Sequence, residues 1–112
     1  MTDCKKGDIV LARIIFTDGS ATKKRPVVVL SGHQFNSKRE GVVVAAITSN
    51  TIRRIFGDIK LLKWKEAGLL YPSVVTGILL SIKKTLVEKK LGTLDADDLK
   101  RVDDNLRTCL DV

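Results

Sequence analysis

Arg25 is the side chain best suited to meet a phosphate. The run Lys23-Lys24-Arg25-Pro26-Val27-Val28-Val29-Leu30-Ser31 sets it at the mouth of an apolar strand. Its planar guanidinium presents a fork of donors that matches two phosphate oxygens and stays protonated throughout the working pH range. A second apolar run ends in Ile47-Thr48-Ser49-Asn50, which offers a pair of hydroxyls. An arginine and a hydroxyl converging on one phosphate is a route to catalysis that needs no nucleophile–histidine pair. The only histidine, His33, follows the second strand. It is separated from the cationic run by on the order of 13 Å at strand rise. That is beyond reach for proton transfer, so a surface or turn position is expected. A solvated run guarding a sheet edge would also explain Lys23–Arg25. The hydroxyls at 48 and 49 and the small-residue loop before Lys23 favour the phosphate reading.

These residues need strands to hold them. Gly7 to Phe16 reads as a first strand, followed by a turn-forming stretch, Thr17-Asp18-Gly19-Ser20-Ala21-Thr22. Pro26 has no amide hydrogen to donate and is expected to open the second strand, Val27 to Leu30. Gly32 to Ser37 turns the chain. Val42 to Ile47 is a third strand whose unbroken apolar run predicts burial on both faces. Residues 57–62 alternate as a fourth strand, and Trp64 to Leu69 forms a helical turn closed by Gly68. Ser73 to Ile82 is a fifth strand, with Gly77 at a bulge or bend. A helix over about 95–110 is the clearest element: Asp95 caps it, Asp97 and Asp98 favour its N-terminal dipole, and Leu99, Val102, Leu106 and Leu110 share a face. The expected class is mainly β, a small curled sheet or barrel closed by a C-terminal α-helix, in one domain over residues 1–112.

The formal charge of +7 is unevenly spread. Residues 1–94 hold 17 Lys and Arg against 7 Asp and Glu, a balance of +10, whereas residues 95–112 hold 3 against 6, a balance of −3. A basic body points to a polyanionic partner, most often nucleic acid. Aromatic residues make up only 4% of the chain, which argues against a module that binds single strands chiefly by stacking. Two cysteines at opposite ends, Cys4 and Cys109, read as free thiols in a chain without a secretory leader, and the cytoplasm is the expected compartment. No ligand set has metal-binding spacing, no glycine-rich loop leads to a Lys-Ser/Thr pair, and no segment is apolar enough to span a membrane. No metal, cofactor or membrane partner is expected.

The order of blocks adds a further indication. Gly7-Asp8-Ile9-Val10 is followed by Lys24-Arg25-Pro26-Val27-Val28-Val29-Leu30-Ser31 and then Ile47-Thr48-Ser49. Gly68-Leu69, Pro72-Ser73-Val74-Val75 and Leu91-Gly92-Thr93-Leu94 come next, before an acidic-start helix. Across nearly the whole chain this resembles the MazF/PemK toxins. The resemblance implies an SH3-like barrel of the PemK/CcdB type, a homodimer, and a metal-independent endoribonuclease (an mRNA interferase) controlled by a cognate antitoxin protein. It assigns catalysis to Arg25 and Thr48. RNA contacts are expected at Thr17, Asp18, Gly19, Ser20, Thr22, Lys23 and Lys24 of the first loop, and at Ser49 and Asn50. One departure stands out: around Gly77–Lys84 the family often carries an acidic residue and a Gln or Lys, and this chain is mostly apolar there.

The chemistry is consistent with the residues. RNA supplies its own nucleophile, since a 2′-hydroxyl can attack the adjacent phosphorus and expel the 5′-oxygen. Single-stranded RNA would then be cut to a 2′,3′-cyclic phosphate and a 5′-hydroxyl end. The protein must align the attack and absorb the added negative charge. Arg25 suits that stabilising role and, being always protonated, is a poor general base. Two alternatives belong to other classes: a toxin of the same fold that poisons DNA gyrase, and a non-catalytic RNA-binding barrel.

Overall fold

The computed structural model describes residues 3–15 and 22–112, so Phe16 and the expected RNA contacts Thr17, Asp18, Gly19 and Ser20 lie outside it. The elements are β1 (Asp8–Ile15), β2 (Thr22–Val29), α1 (His33–Lys38), β3 (Gly41–Thr48), β4 (Ile59–Lys60), β5 (Val74–Lys83), a 3₁₀ turn (Lys84–Leu86), β6 (Val87–Thr93) and α2 (Ala96–Leu110). The strands form one antiparallel sheet in the order β4-β5-β3-β2-β1-β6. The fold is therefore mainly β with a C-terminal helix, as the sequence predicts. The barrel is open, with β4 and β6 as its edges.

Both faces of the central strands are buried. Period-two alternation sends Val10, Ala12, Val27, Val29, Val42 and Val44 to one cluster, with Cys4 and Ile82. Ile9, Val28, Ala45 and Ile47 go to the other, where Leu61, Leu69, Val75, Leu94 and Val102 of α2 complete the core. The valine-rich runs of β2 and β3 thus serve two layers, which explains the continuous apolar reading of residues 42–47. Of the apolar residues expected on one face of α2, Val102 is buried and Leu99 and Leu106 pack on this core, whereas Leu110 is half exposed.

Several elements differ from the sequence reading. β2 begins at Thr22, four residues before Pro26, because β1 pairs with it from Ile15–Thr22 inward. Pairing with β3 starts only at Val27, so Pro26 sits where β2 has a recorded ladder on one side alone and a missing donor is tolerated. Residues 33–38 form a short helix instead of a plain turn, held beneath by Asn36. Its side-chain amide donates to the carbonyls of Cys4 (3.1 Å) and Ser31 (2.9 Å). The fourth strand shrinks to Ile59–Lys60, because the amides of Leu62 and Lys63 turn away to the carboxylate of Asp98 (3.1 and 2.9 Å). Asp98 is 1% exposed and also meets Arg101 at 3.1 Å. Its main work is tethering this segment to α2, beyond the dipole role expected of it. Asp95 caps the helix, accepting from the amide of Asp97 (3.0 Å), which lowers its pKa.

β6 has no counterpart among the strands that the sequence predicts. Its exposed Glu88-Lys89-Lys90 run hides the alternation, as suits a charged edge. The helical turn after Trp64 covers that edge. Gly68 has φ +91°, and a Cβ there would sit 2.1 Å from the carbonyl oxygen of Leu91, so only glycine permits this close approach. The bulge expected at Gly77 is present: Leu79 pairs with Ala45 and Val75 with Ile47, leaving three residues of β5 opposite Ala46. The Thr76 hydroxyl donates to the Ala46 carbonyl (2.8 Å) and closes the irregularity.

Candidate active site

Arg25 lies in β2 opposite Ala12, and Thr48 ends β3 opposite Val74. The β2–β3 register runs Val29–Val44, Val28–Ala45, Val27–Ala46. Extended by two residues, it sets Arg25 across from Thr48. Strand alternation gives both the face of Val27 and Val44, at the open end of that apolar layer. Arg25 is exposed and Thr48 half-buried. The Thr48 hydroxyl accepts from the amide of Asn50 (3.1 Å), which folds the chain sharply after β3 and leaves the hydroxyl hydrogen for another acceptor. Ser49 and Asn50 are exposed on this turn. Next to it, Arg53 grips Asp58 with two bonds, 2.6 and 3.2 Å, and braces residues 53–58.

The cationic run does not act as one cluster. Thr22, Lys23 and Lys24 belong to β2, paired with β1, and not to the loop in which the sequence reading set them. Lys23 shares the face of Arg25, whereas alternation turns Lys24 to the opposite side. There Lys24 meets Glu88 at 2.9 Å, and the same carboxylate binds Arg13 at 2.9 Å. Hydrogen bonding and ion pairing with Lys24 and then Arg13 hold the Glu88 pKa below its ordinary value. Glu88 carries no signal in the sequence, because the charged run of β6 conceals the strand that holds it. Its extra position in the β1–β6 register, between Leu11–Lys89 and Ala12–Val87, brings it to the lysine.

His33 opens α1 on the surface, beyond the opposite end of β2 from Arg25. Cys4 is buried and Cys109 half-buried, and neither is in a disulfide. Burial, with a smaller contribution from Asp8, raises the Cys4 pKa, making it a weak nucleophile. Among the described residues no three His, Cys, Asp or Glu side chains gather as metal ligands. Among the same residues no helix is long and apolar enough to cross a membrane. The arrangement offers a cation within β2 and a hydroxyl at the end of β3, a pair of groups suited to holding a phosphodiester and stabilising charge as it builds.

An open six-stranded antiparallel sheet packed against a C-terminal helix defines a class of small mainly-β domains. The model of PemK-like, MazF-like toxins of type II toxin–antitoxin systems matches residues 5–110, and the chain belongs to that family. Solved structures agree. The Mycobacterium tuberculosis toxin MazF-mt6 is 25% identical with a TM-score of 0.74, over 94% of this chain and 97% of that one. A MazE-MazF structure from Deinococcus radiodurans is 20% identical with a TM-score of 0.80, over 100% and 99%. An endoribonuclease in complex with its cognate antitoxin, from a mycobacterial species, is 18% identical with a TM-score of 0.76, over 96% and 95%. The last two share the fold. No curated protein matches the chain in sequence.

Proposed function

We propose that this toxin is a metal-independent, sequence-specific endoribonuclease that cuts single-stranded RNA by 2′-hydroxyl attack, leaving a 2′,3′-cyclic phosphate and a 5′-hydroxyl. What supports this reading is strand alternation, which gives Arg25 and Thr48 one face on neighbouring strands, two residues beyond the last β2–β3 pair, Val27–Ala46. Arg25 neutralises the non-bridging oxygens as the phosphorane forms, and the Thr48 hydroxyl donates to the same group. The nucleophile belongs to the substrate, so neither an activated side chain nor a metal-bound hydroxide is required. Lys23, Ser49 and Asn50 border the pair and grip the backbone on either side. Lys24 joins them only by way of the strand it helps to hold.

The toxin works as a homodimer and is silenced by an antitoxin, as the family and the antitoxin-bound relative support. An acidic antitoxin segment folds across the Arg25–Thr48 face and competes with RNA there, since one basic groove serves both polyanions. The deciding experiment is incubation with a long RNA in EDTA, followed by analysis of the ends. Cleavage with cyclic phosphate and 5′-hydroxyl ends is expected, and RNA carrying a 2′-O-methyl group 5′ of the cut should resist. Loss of activity on chelation, or 5′-phosphate products, would refute the mechanism.

A further inference from the structure

Val74 of β5 pairs with Thr48 on one side and with Lys60 on the other. Residues opposed in register share a face, so Thr48 and Lys60 face the same way, two strand spacings or about 10 Å apart. A cleft of about 150 Å³ opens beside Lys60, lined by Thr51, Lys60, Leu61, Trp64, Pro72 and Ser73. Thr51 belongs to the turn that follows Thr48, so the cleft is joined to the candidate active site by the sheet and by the chain. From this geometry we infer that the cleft is a subsite for one base of the RNA strand, a nucleotide or two from the scissile phosphate. The inference rests on the nuclease reading above.

The walls are suited to a base. Trp64, Leu61 and Pro72 supply apolar surface against which a ring can lie, and base–aromatic contact is a main source of single-strand affinity. Thr51 contributes a hydroxyl that can donate or accept at a base edge. The Ser73 hydroxyl already donates to the Tyr71 carbonyl (2.7 Å), so it is left as an acceptor. Lys60 is exposed at the rim, where a phosphate would follow the base. The cleft is also built in advance. Leu61 donates its amide to Ser73 (3.0 Å), Arg101 donates to the Lys60 carbonyl (2.7 Å), and Asp98 fixes Leu62 and Lys63. Little ordering is therefore needed on binding.

Trp64 is the only tryptophan, so its fluorescence reports on this cleft alone. The full-length protein would be titrated with non-cleavable 2′-O-methyl tetranucleotides of uridine, cytidine, adenosine and guanosine. Saturable quenching is expected. In cleavage assays, Thr51→Ala and Lys60→Ala should each raise KM severalfold to tenfold with kcat within about twofold, as removal of uniform binding predicts. Trp64→Phe keeps an aromatic wall and should retain most of the affinity. Absent quenching with RNA bound, or unchanged KM in both variants, would overturn the subsite. If Arg25-dependent cleavage persists in that case, the nuclease reading survives alone. If the wild-type protein neither binds nor cuts RNA, both fail.

Discussion

Arg13 and Lys24 face each other in register across β1 and β2, and the like charges are held together by the two oxygens of Glu88 on the next strand. Beyond this point the β1–β2 ladder continues through Ile14–Lys23 and Ile15–Thr22. Glu88 also keeps Lys24 engaged on the face away from Arg25. The two lysines beside Arg25 should therefore answer differently to the same change. Lys23→Glu should weaken RNA binding directly and reduce its salt dependence. Lys24→Glu should act mainly by repelling Glu88. Equal losses in RNA affinity with equal salt slopes would contradict the assignment of faces.

Glu88 also predicts a pH dependence. Its folded-state pKa is depressed by Lys24 and Arg13, so the stabilisation is present above the unfolded carboxylate value and fades as pH falls through the lower, folded one. Glu88→Gln should thus melt slightly below wild type near neutrality, and the two curves should converge in acid. The effect is small because the group is solvent-exposed. A gap that widens toward low pH would show the sign to be wrong.

Asp98 is the polar residue most costly to lose. Asp98→Ala leaves the part-buried amides of Leu62 and Lys63 without their acceptor, a penalty of about 1 kcal/mol, toward the low end for an unsatisfied donor because water can reach them. Denaturant unfolding should show a lower midpoint at an unchanged slope. The same variant should loosen the Lys60–Lys63 wall of the cleft. Wild-type stability would mean that the tether is replaced by water.

Exposed apolar residues predict self-association. Ile52 (84% exposed) and Phe56 (81%) lie on the segment after β3, and Ile78 is half exposed beside the contact between Gly57 and Gly77. Large apolar side chains so grouped mark an interface. Sedimentation at micromolar concentration should show a dimer, and Phe56→Asp should shift it toward monomer. A monomer in the wild type would contradict the account of assembly.

Much of this was legible in the residues. The valine runs, the Gly77 bulge, the Gly68 turn and the capped helix follow from local chemistry, and so does the end of β3 that bears Thr48, whereas Arg25, expected ahead of its strand, lies within β2. What escaped the sequence depends on long-range partners. Lys24 differs from Lys23 only because a strand 60 residues later brings up Glu88. β4 is short because Asp98 captures the amides that would have extended it. The Trp64 cleft arises where β4, β5 and the 51–64 segment meet, and no pattern in one stretch announces such a junction.

The central claim is that Arg25 stabilises the transition state beside Thr48. Single-turnover cleavage of one RNA in EDTA by wild type, Arg25→Ala and Arg25→Lys, each with unchanged dichroism, tests it most directly. Arg25→Ala should lose about 10²–10³ in rate, roughly 3–4 kcal/mol. Arg25→Lys should recover little, since a point charge cannot reproduce the guanidinium fork. Rates within a few-fold of wild type in both variants would remove Arg25 from the site and contradict the account.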